Sequence, residues 1–213
     1  MRLDPSRMWR PMFVVGGILY LVGSSQHPRG RMDEMLVDPT WFRAHSTLFV
    51  GLVVLTVGLV LLRRPQLTST SMNRWLPFAM VATALEAVEM GVHTMAYVDA
   101  EALTAGQSTP VFTTHSWLAM LIYPFFAVAL IRLIWVGQRE RSLGSLWIGW
   151  IGLMGAAAHG VVMWLVFFEI GWAGILFPLA AISLSLWYIL AGIWPVRWSV
   201  PSGTPSSEVV VPD

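Results

Sequence analysis

Long apolar stretches constrain this chain more than any other feature of its sequence. The hydrocarbon core of a bilayer is about 30 Å thick, so a helix that crosses it needs roughly 20 apolar residues. The 213-residue sequence contains six such stretches, separated by charged or polar segments. We therefore expect an all-α, multi-pass integral membrane protein. The predicted spans are residues 10–27, 45–63, 75–98, 113–136, 144–168 and 172–195.

The composition agrees with this class and excludes several kinds of site. Hydrophobic residues make up 56% of the chain and charged residues only 12%, about half the charged share of a soluble domain. A net charge of +1 offers no basis for binding nucleic acid. The absence of cysteine excludes disulfides, thiolate metal sites and iron–sulfur clusters. The chain also lacks lysine, so it cannot hold retinal or pyridoxal phosphate as a Schiff base.

The arginines predict how the chain is oriented. Three of them, Arg29, Arg31 and Arg43, fall at one end of the predicted bundle, and ten fall at the other. Basic residues near span ends resist translocation, so the arginine-rich end and both termini are predicted to be cytoplasmic. The membrane itself is predicted to be the plasma membrane. This arrangement gives three helical hairpins. The ten arginines are Arg2, Arg7, Arg10, Arg63, Arg64, Arg74, Arg132, Arg139, Arg141 and Arg197.

The two ends of the chain carry further expectations. Residues 1–198 form the predicted membrane domain. Residues 199–213 are rich in Pro, Ser and Val without a periodic face, and we expect a disordered cytoplasmic tail there. The first span follows three arginines and is short, which is also the pattern of a secretory signal peptide. Cleavage of that segment would leave five spans.

All five histidines fall in the outward half of their spans. Each lies 17 to 19 residues from the arginine at the cytoplasmic end of the same span, a separation of about 26 to 28 Å at 1.5 Å per residue. Five helices are therefore expected to contribute one layer of imidazoles near the outer membrane boundary. Two inward helices open with the same Phe-x-x-His-Ser pattern, which supports a repeated hairpin unit. The histidines are His27, His45, His93, His115 and His159.

The third span carries two carboxylates below this layer. Glu86, Glu89 and His93 are spaced i, i+3 and i+7, which places them on one face of a helix. An ionised acid near the bilayer centre costs at least about 2.5 kcal/mol, so each acid needs a compensating partner. The predicted spans contain no lysine or arginine near their centres. The remaining ways to compensate the two acids are protonation, hydrogen bonds from hydroxyl groups, or a bound cation.

These residue types suit a transition-metal centre. Imidazole and carboxylate ligands without thiolate favour zinc, iron or copper(II). Glu86 is predicted to be a catalytic proton acceptor or a second carboxylate ligand. The predicted metal ligands are His93, His159 and Glu89, with His45 and His115 completing or orienting the site.

Heme b is the alternative cofactor. Small residues surround His159 in the segment 155–160, and small residues let a flat porphyrin approach a helix. Arg29 and Arg43 could then pair with the heme propionates. A simpler interpretation of His27 and His45 places them at the wet membrane boundary, where Trp41 and other tryptophans near span ends are expected to form an aromatic belt.

Three functions are compatible with this pattern. The first is a membrane oxidoreductase or hydrolase that uses the metal or heme, with a quinone or another lipophilic molecule as its substrate. The second is a proton-coupled transporter, in which Glu86 and Glu89 alternate between protonation states and the histidines relay protons. The third is a structural subunit of an oligomer or a larger membrane complex.

Overall fold

The computed structural model describes residues 8–63 and 68–195, and these residues form helices without any strand. The prediction of an all-α chain is confirmed for this part of the sequence. The tail at 199–213 and several of the arginines used to predict orientation lie outside the described residues. The helices are α1 (Trp9–Ser25), α2 (Met32–Val37), α3 (Thr40–Leu62), α4 (Thr70–Met95), α5 (Ala100–Thr104), α6 (Pro110–Arg139), α7 (Leu146–Phe167) and α8 (Leu176–Ile193).

Five of the described helical segments are long and apolar enough to cross a membrane: Thr40–Leu62, Thr70–Thr104, Pro110–Arg139, Leu146–Phe167 and Ala173–Ile193. They indicate a multi-pass membrane protein. Helix α1 has 17 residues, a length of about 26 Å, which is slightly less than the bilayer core. The sixth span, the division into hairpins and the position of the termini stay predictions.

The six long helices pack in a closed ring that follows chain order. Each of α1, α3, α4, α6, α7 and α8 packs against the next one in this order, and α8 packs against α1. Where α8 meets α1, the Arg10 side chain on α1 donates a hydrogen bond to the carbonyl of Trp194, which directly follows α8. Because each helix contacts two neighbours, side chains on the inner faces are removed from the surroundings of the bundle.

The interior of the ring has two unlike halves. The half near the start of α1 is a continuous apolar core, in which Phe13, Leu59, Leu76 and Trp187 are completely buried. The other half holds the histidines and carboxylates, and we call it the histidine end. There α2, α5 and a 3-10 turn at Ala96–Asp99 pack together as a cap over the bundle.

The helices begin and end at different residues from those predicted. Helix α3 starts at Thr40 instead of residue 45, because the Asp38 carboxylate accepts hydrogen bonds from the Thr40 backbone and hydroxyl at 2.7 and 2.6 Å. The bond from the backbone satisfies an N–H group at the start of α3, and both bonds lower the pKa of Asp38. The short helices α2 and α5 lie in segments expected to be loops. The predicted spans 144–168 and 172–195 leave three residues between them, whereas the observed connection extends from Phe168 through a 3-10 turn at Ala173–Ile175.

Helices α1 and α3 approach closely along glycines, as small residues allow in membrane bundles. A Cβ atom added to Gly23 would lie 2.8 Å from the Ala44 carbonyl oxygen and 2.9 Å from the Leu48 backbone nitrogen. Both are backbone atoms of α3, which cannot rotate away as a side chain can. Since His27 and His45 lie within a turn of this contact, the glycine helps to set the distance between them.

We expect Gly23→Ala to lower the free energy of unfolding by about 1–3 kcal/mol, the usual cost of overpacking. The matched control is Gly174→Ala, because no atom lies within 4 Å of a Cβ added at Gly174. Unfolding of both variants in mixed micelles measures the difference. Equal stability of the two variants would contradict the close packing of α1 on α3.

Candidate metal centre

Four of the five histidines form an unbroken row of rings at the histidine end. Ring centroids are 4.8 Å apart for His27 and His45, 4.3 Å for His45 and His93, and 3.7 Å for His93 and His115. The four residues come from the end of α1 and its connector, α3, α4 and α6. The structure therefore brings together side chains that are up to 88 positions apart in the sequence.

Glu89 contacts the inner end of this row. Its Oε1 atom makes a close hydrogen bond with His115 Nδ1 and lies 3.9 Å from His93 Nδ1. The two histidine nitrogens are 2.9 Å apart. Glu89 is completely buried. Its second oxygen, Oε2, has no hydrogen-bond partner among the described residues.

These distances create two groups of converging ligand atoms. One consists of Glu89, His93 and His115, and the other of His27, His45 and His93. Within each group, one ligand atom per residue lies within 4.8 Å of the others. Metal–nitrogen and metal–oxygen bonds are about 2.0–2.2 Å long, so one ion could contact all three atoms after small side-chain rotations.

His159 and Glu86 form a separate pair. His159 Nε2 is 2.8 Å from Glu86 Oε1, and both side chains are buried. Tyr123 stacks on the His159 ring with a centroid distance of 4.1 Å. Sequence reasoning placed His159 among the ligands with His93 and Glu89, but neither converging group in the described part of the chain includes it.

The hydrogen bonds of His27 and His45 define their protonation. His27 Nδ1 lies 2.7 Å from the Pro28 carbonyl oxygen, and His45 Nδ1 lies 2.7 Å from that of Trp41. A carbonyl oxygen only accepts, so each Nδ1 carries a hydrogen, and in a neutral ring Nε2 keeps a free lone pair.

Trp41 differs from its predicted role. Expected in an interfacial belt, it is only 1% exposed, and its ring stacks on His93 at 5.0 Å with an interplanar angle of 12°. His27, which one interpretation placed at the wet boundary, is half-buried and in ring contact with His45. The common height of the histidines was visible in the sequence, but it did not reveal which rings touch.

Arg29 and Arg43 are exposed. A groove of about 530 Å³, lined in part by Trp41, opens at the same end. It is bounded by α2, the start of α3 and the turn after α4. Its lining residues are Leu36, Val37, Asp38, Pro39, Trp41, Phe42, Tyr97, Val98, Ala100 and Glu101.

Comparison of the chain with protein-family models, with curated proteins and with solved structures finds no match. The function must therefore be argued from the site itself. What the site offers is a set of buried imidazole and carboxylate groups that could hold a metal ion, in a helical protein of membrane type.

The Glu86–His159 pair allows a test of the buried polar packing. We expect His159→Leu to lower the free energy of unfolding by about 3–5 kcal/mol, because it leaves Glu86 buried without its partner. The double variant Glu86→Leu/His159→Leu removes both polar groups, and its stability is expected to return close to that of wild type. Denaturant titration in micelles measures both, and additive losses in the double variant would contradict a direct pair.

Proposed function

We propose that this protein is a membrane metalloprotein whose metal ion is held by Glu89, His93 and His115. The observation that carries the proposal is the convergence of three ligand atoms, from α4 and α6, inside the bundle. Helical spacing supports it, because Glu89 and His93 are one turn apart on the same face of α4. A cation there would also compensate the charge of a completely buried carboxylate.

The ligand set indicates the class of chemistry. Two imidazoles and one carboxylate form the set of the non-heme iron(II) oxygenases and also of catalytic zinc sites that keep an open position for water. Three protein ligands leave room for a further molecule on the ion. The site thus suits an oxidoreductase that uses iron or copper, or a hydrolase that uses zinc.

In this proposal Glu86 exchanges protons with the reacting molecule. It lies one helical turn from Glu89 on α4, and its Oε2 atom is buried without a hydrogen-bond partner among the described residues. His159 holds the other oxygen, Oε1, and so acts as a positioning residue. A carboxylate with one fixed and one free oxygen can take up a proton and return it without moving its backbone.

The packing of the rings favours metal ions over heme b. Two axial histidines of a heme are separated by two metal–nitrogen bonds of about 2 Å each and by the porphyrin plane between them. Here neighbouring rings are in direct contact, with centroids 3.7 to 4.8 Å apart. A porphyrin would have to push apart His45, His93 and Trp41, which are stacked on one another.

A lipophilic substrate, such as a quinone, would approach through the groove beside Trp41. Apolar side chains line most of it, and Asp38 and Glu101 add carboxylates at its edge. Trp41 lines the groove and also stacks on His93. In the predicted orientation this groove faces the outside of the plasma membrane, and Arg29 and Arg43 beside it would contact lipid headgroups.

Metal binding provides the first test. We expect wild-type protein, stripped with a chelator and titrated with Co²⁺ in detergent, to develop the absorption bands of a bound ion. Glu89→Gln and His115→Ala should weaken binding by more than about 100-fold, since loss of an outer partner alone costs 10–100-fold. His159→Gln, which keeps a donor for Glu86, is the matched control and should bind normally. Unchanged cobalt affinity in Glu89→Gln and His115→Ala would sink the proposal.

The row of rings also favours a second candidate, a proton pathway. It runs from the half-buried His27 through His45 and His93 to His115 and Glu89, with Glu86 and His159 beyond. Imidazole can accept a proton at one nitrogen and release one from the other. Hydrogen bonds already join His93, His115 and Glu89, and transfer from His27 and His45 to His93 would need water between their nitrogens, because these rings only touch.

Flux measurements separate this candidate from the metalloprotein. If the protein conducts protons, proteoliposomes prepared with a chelator should acidify under an imposed potential, and Glu86→Gln should reduce the rate by at least about tenfold, as expected for loss of a proton acceptor. Arg43→Gln, an exposed change at the same end, is the control. Liposomes that show no flux without metal would exclude the pathway.

A further inference from the structure

We propose that the histidine end binds a second metal ion, held by His27, His45 and His93, so that the two ions share the His93 ring as a bridge. This inference rests on the proposed function, because the first ion is the one held by Glu89, His93 and His115. The second group of ligand atoms lies within 4.8 Å, as the first does. Its residues come from the α1–α2 connector, α3 and α4.

The hydrogen bonds of His27 and His45 prepare both rings to bind an ion. Each donates its Nδ1 hydrogen to a backbone carbonyl, which leaves Nε2 as the nitrogen with a lone pair. Histidine ligands of metals usually carry such an outer hydrogen bond, since it fixes the ring and its tautomer. His45 Nε2 is buried and has no hydrogen-bond partner among the described residues.

His93 can serve both ions because its two nitrogens are differently engaged. Nδ1 is 2.9 Å from His115 Nδ1 and 3.9 Å from Glu89 Oε1, within the first group. Nε2 is buried and has no hydrogen-bond partner in the described part of the chain. The lone pairs of the two ring nitrogens point in different directions, so each can contact its own ion. The bridging ring gives up its one N–H proton to solvent when the second ion binds.

Burial of the central histidine, His45, distinguishes this arrangement from boundary histidines that remain wet. His45 is 1% exposed, and Trp41 stacks on the ring of His93. Three imidazoles without a carboxylate form the second group, which favours Cu²⁺ or Zn²⁺ over harder cations. The first group contains a carboxylate, so the two positions differ in their ligand charge.

Copper provides a probe that reports both the number of ions and the bridge. Full-length protein in detergent is stripped with a chelator and titrated with Cu²⁺. We expect about two equivalents to bind, one for each three-ligand group. The electron paramagnetic resonance signal should grow with the first equivalent and fall with the second, because a shared imidazolate couples the two unpaired electrons.

Variants assign the two positions. His27→Gln should bind about one equivalent, one group being intact, and its resonance signal should not fall at higher copper. The side chain of His27 is only half-buried in a connector, so this change is milder than one inside a span. His45→Gln removes another ligand of the second ion and should give the same result. Arg43→Gln, an exposed change at the same end of the bundle, is the control and should retain both ions and the coupling, and circular dichroism verifies folding of each protein.

Each alternative result has a defined meaning. One equivalent in both wild type and His27→Gln, lost in His115→Ala, would overturn the second position while the proposed function stands. Two equivalents with an undiminished resonance signal would overturn the bridge. No bound copper in the wild type would overturn both this inference and the proposed function.

Discussion

Burial of two carboxylates away from water is the constraint on which the rest of this structure depends. Glu86 and Glu89 lie on one face of α4 and are completely buried. In a bilayer no solvent replaces a missing partner, so the neighbouring helices must supply one. His115 on α6 contacts Glu89, and His159 on α7 contacts Glu86. These two contacts fix the register of three helices relative to one another, in a way that apolar packing alone does not.

The division of the interior follows from the same constraint. Apolar side chains fill one half of the ring, where large rings such as Trp9, Phe13 and Trp187 interlock. The polar groups are gathered in the other half and covered by α2, α5 and the turn between α4 and α5. Asp99 strengthens that cover, because its carboxylate accepts a hydrogen bond from the Phe112 backbone at 2.8 Å. The buried aspartate thus ties the cap to the first turn of α6.

The sequence predicted the helices well because the length of an apolar run is itself the physical requirement for a span. It was less informative about where helices begin, since the first turn of α3 mixes polar and aromatic residues and depends on Asp38. The common height of the histidines followed from counting residues. Their pairing did not, because pairing depends on which helices are neighbours in the ring. The sequence alone therefore could not assign His159 to Glu86, or stack Trp41 on His93.

The order of helices in the ring has a consequence for biogenesis. The residues of the row, from His27 to His115, all belong to the first 115 positions of the chain, on α1 and its connector, α3, α4 and α6. Chains fold from the N-terminus as they are synthesised. The four helices that carry the row are therefore inserted before α7 and α8 leave the ribosome. Helix α7 then supplies His159, the partner of Glu86, and α8 completes the ring of helices around histidines that are already in place.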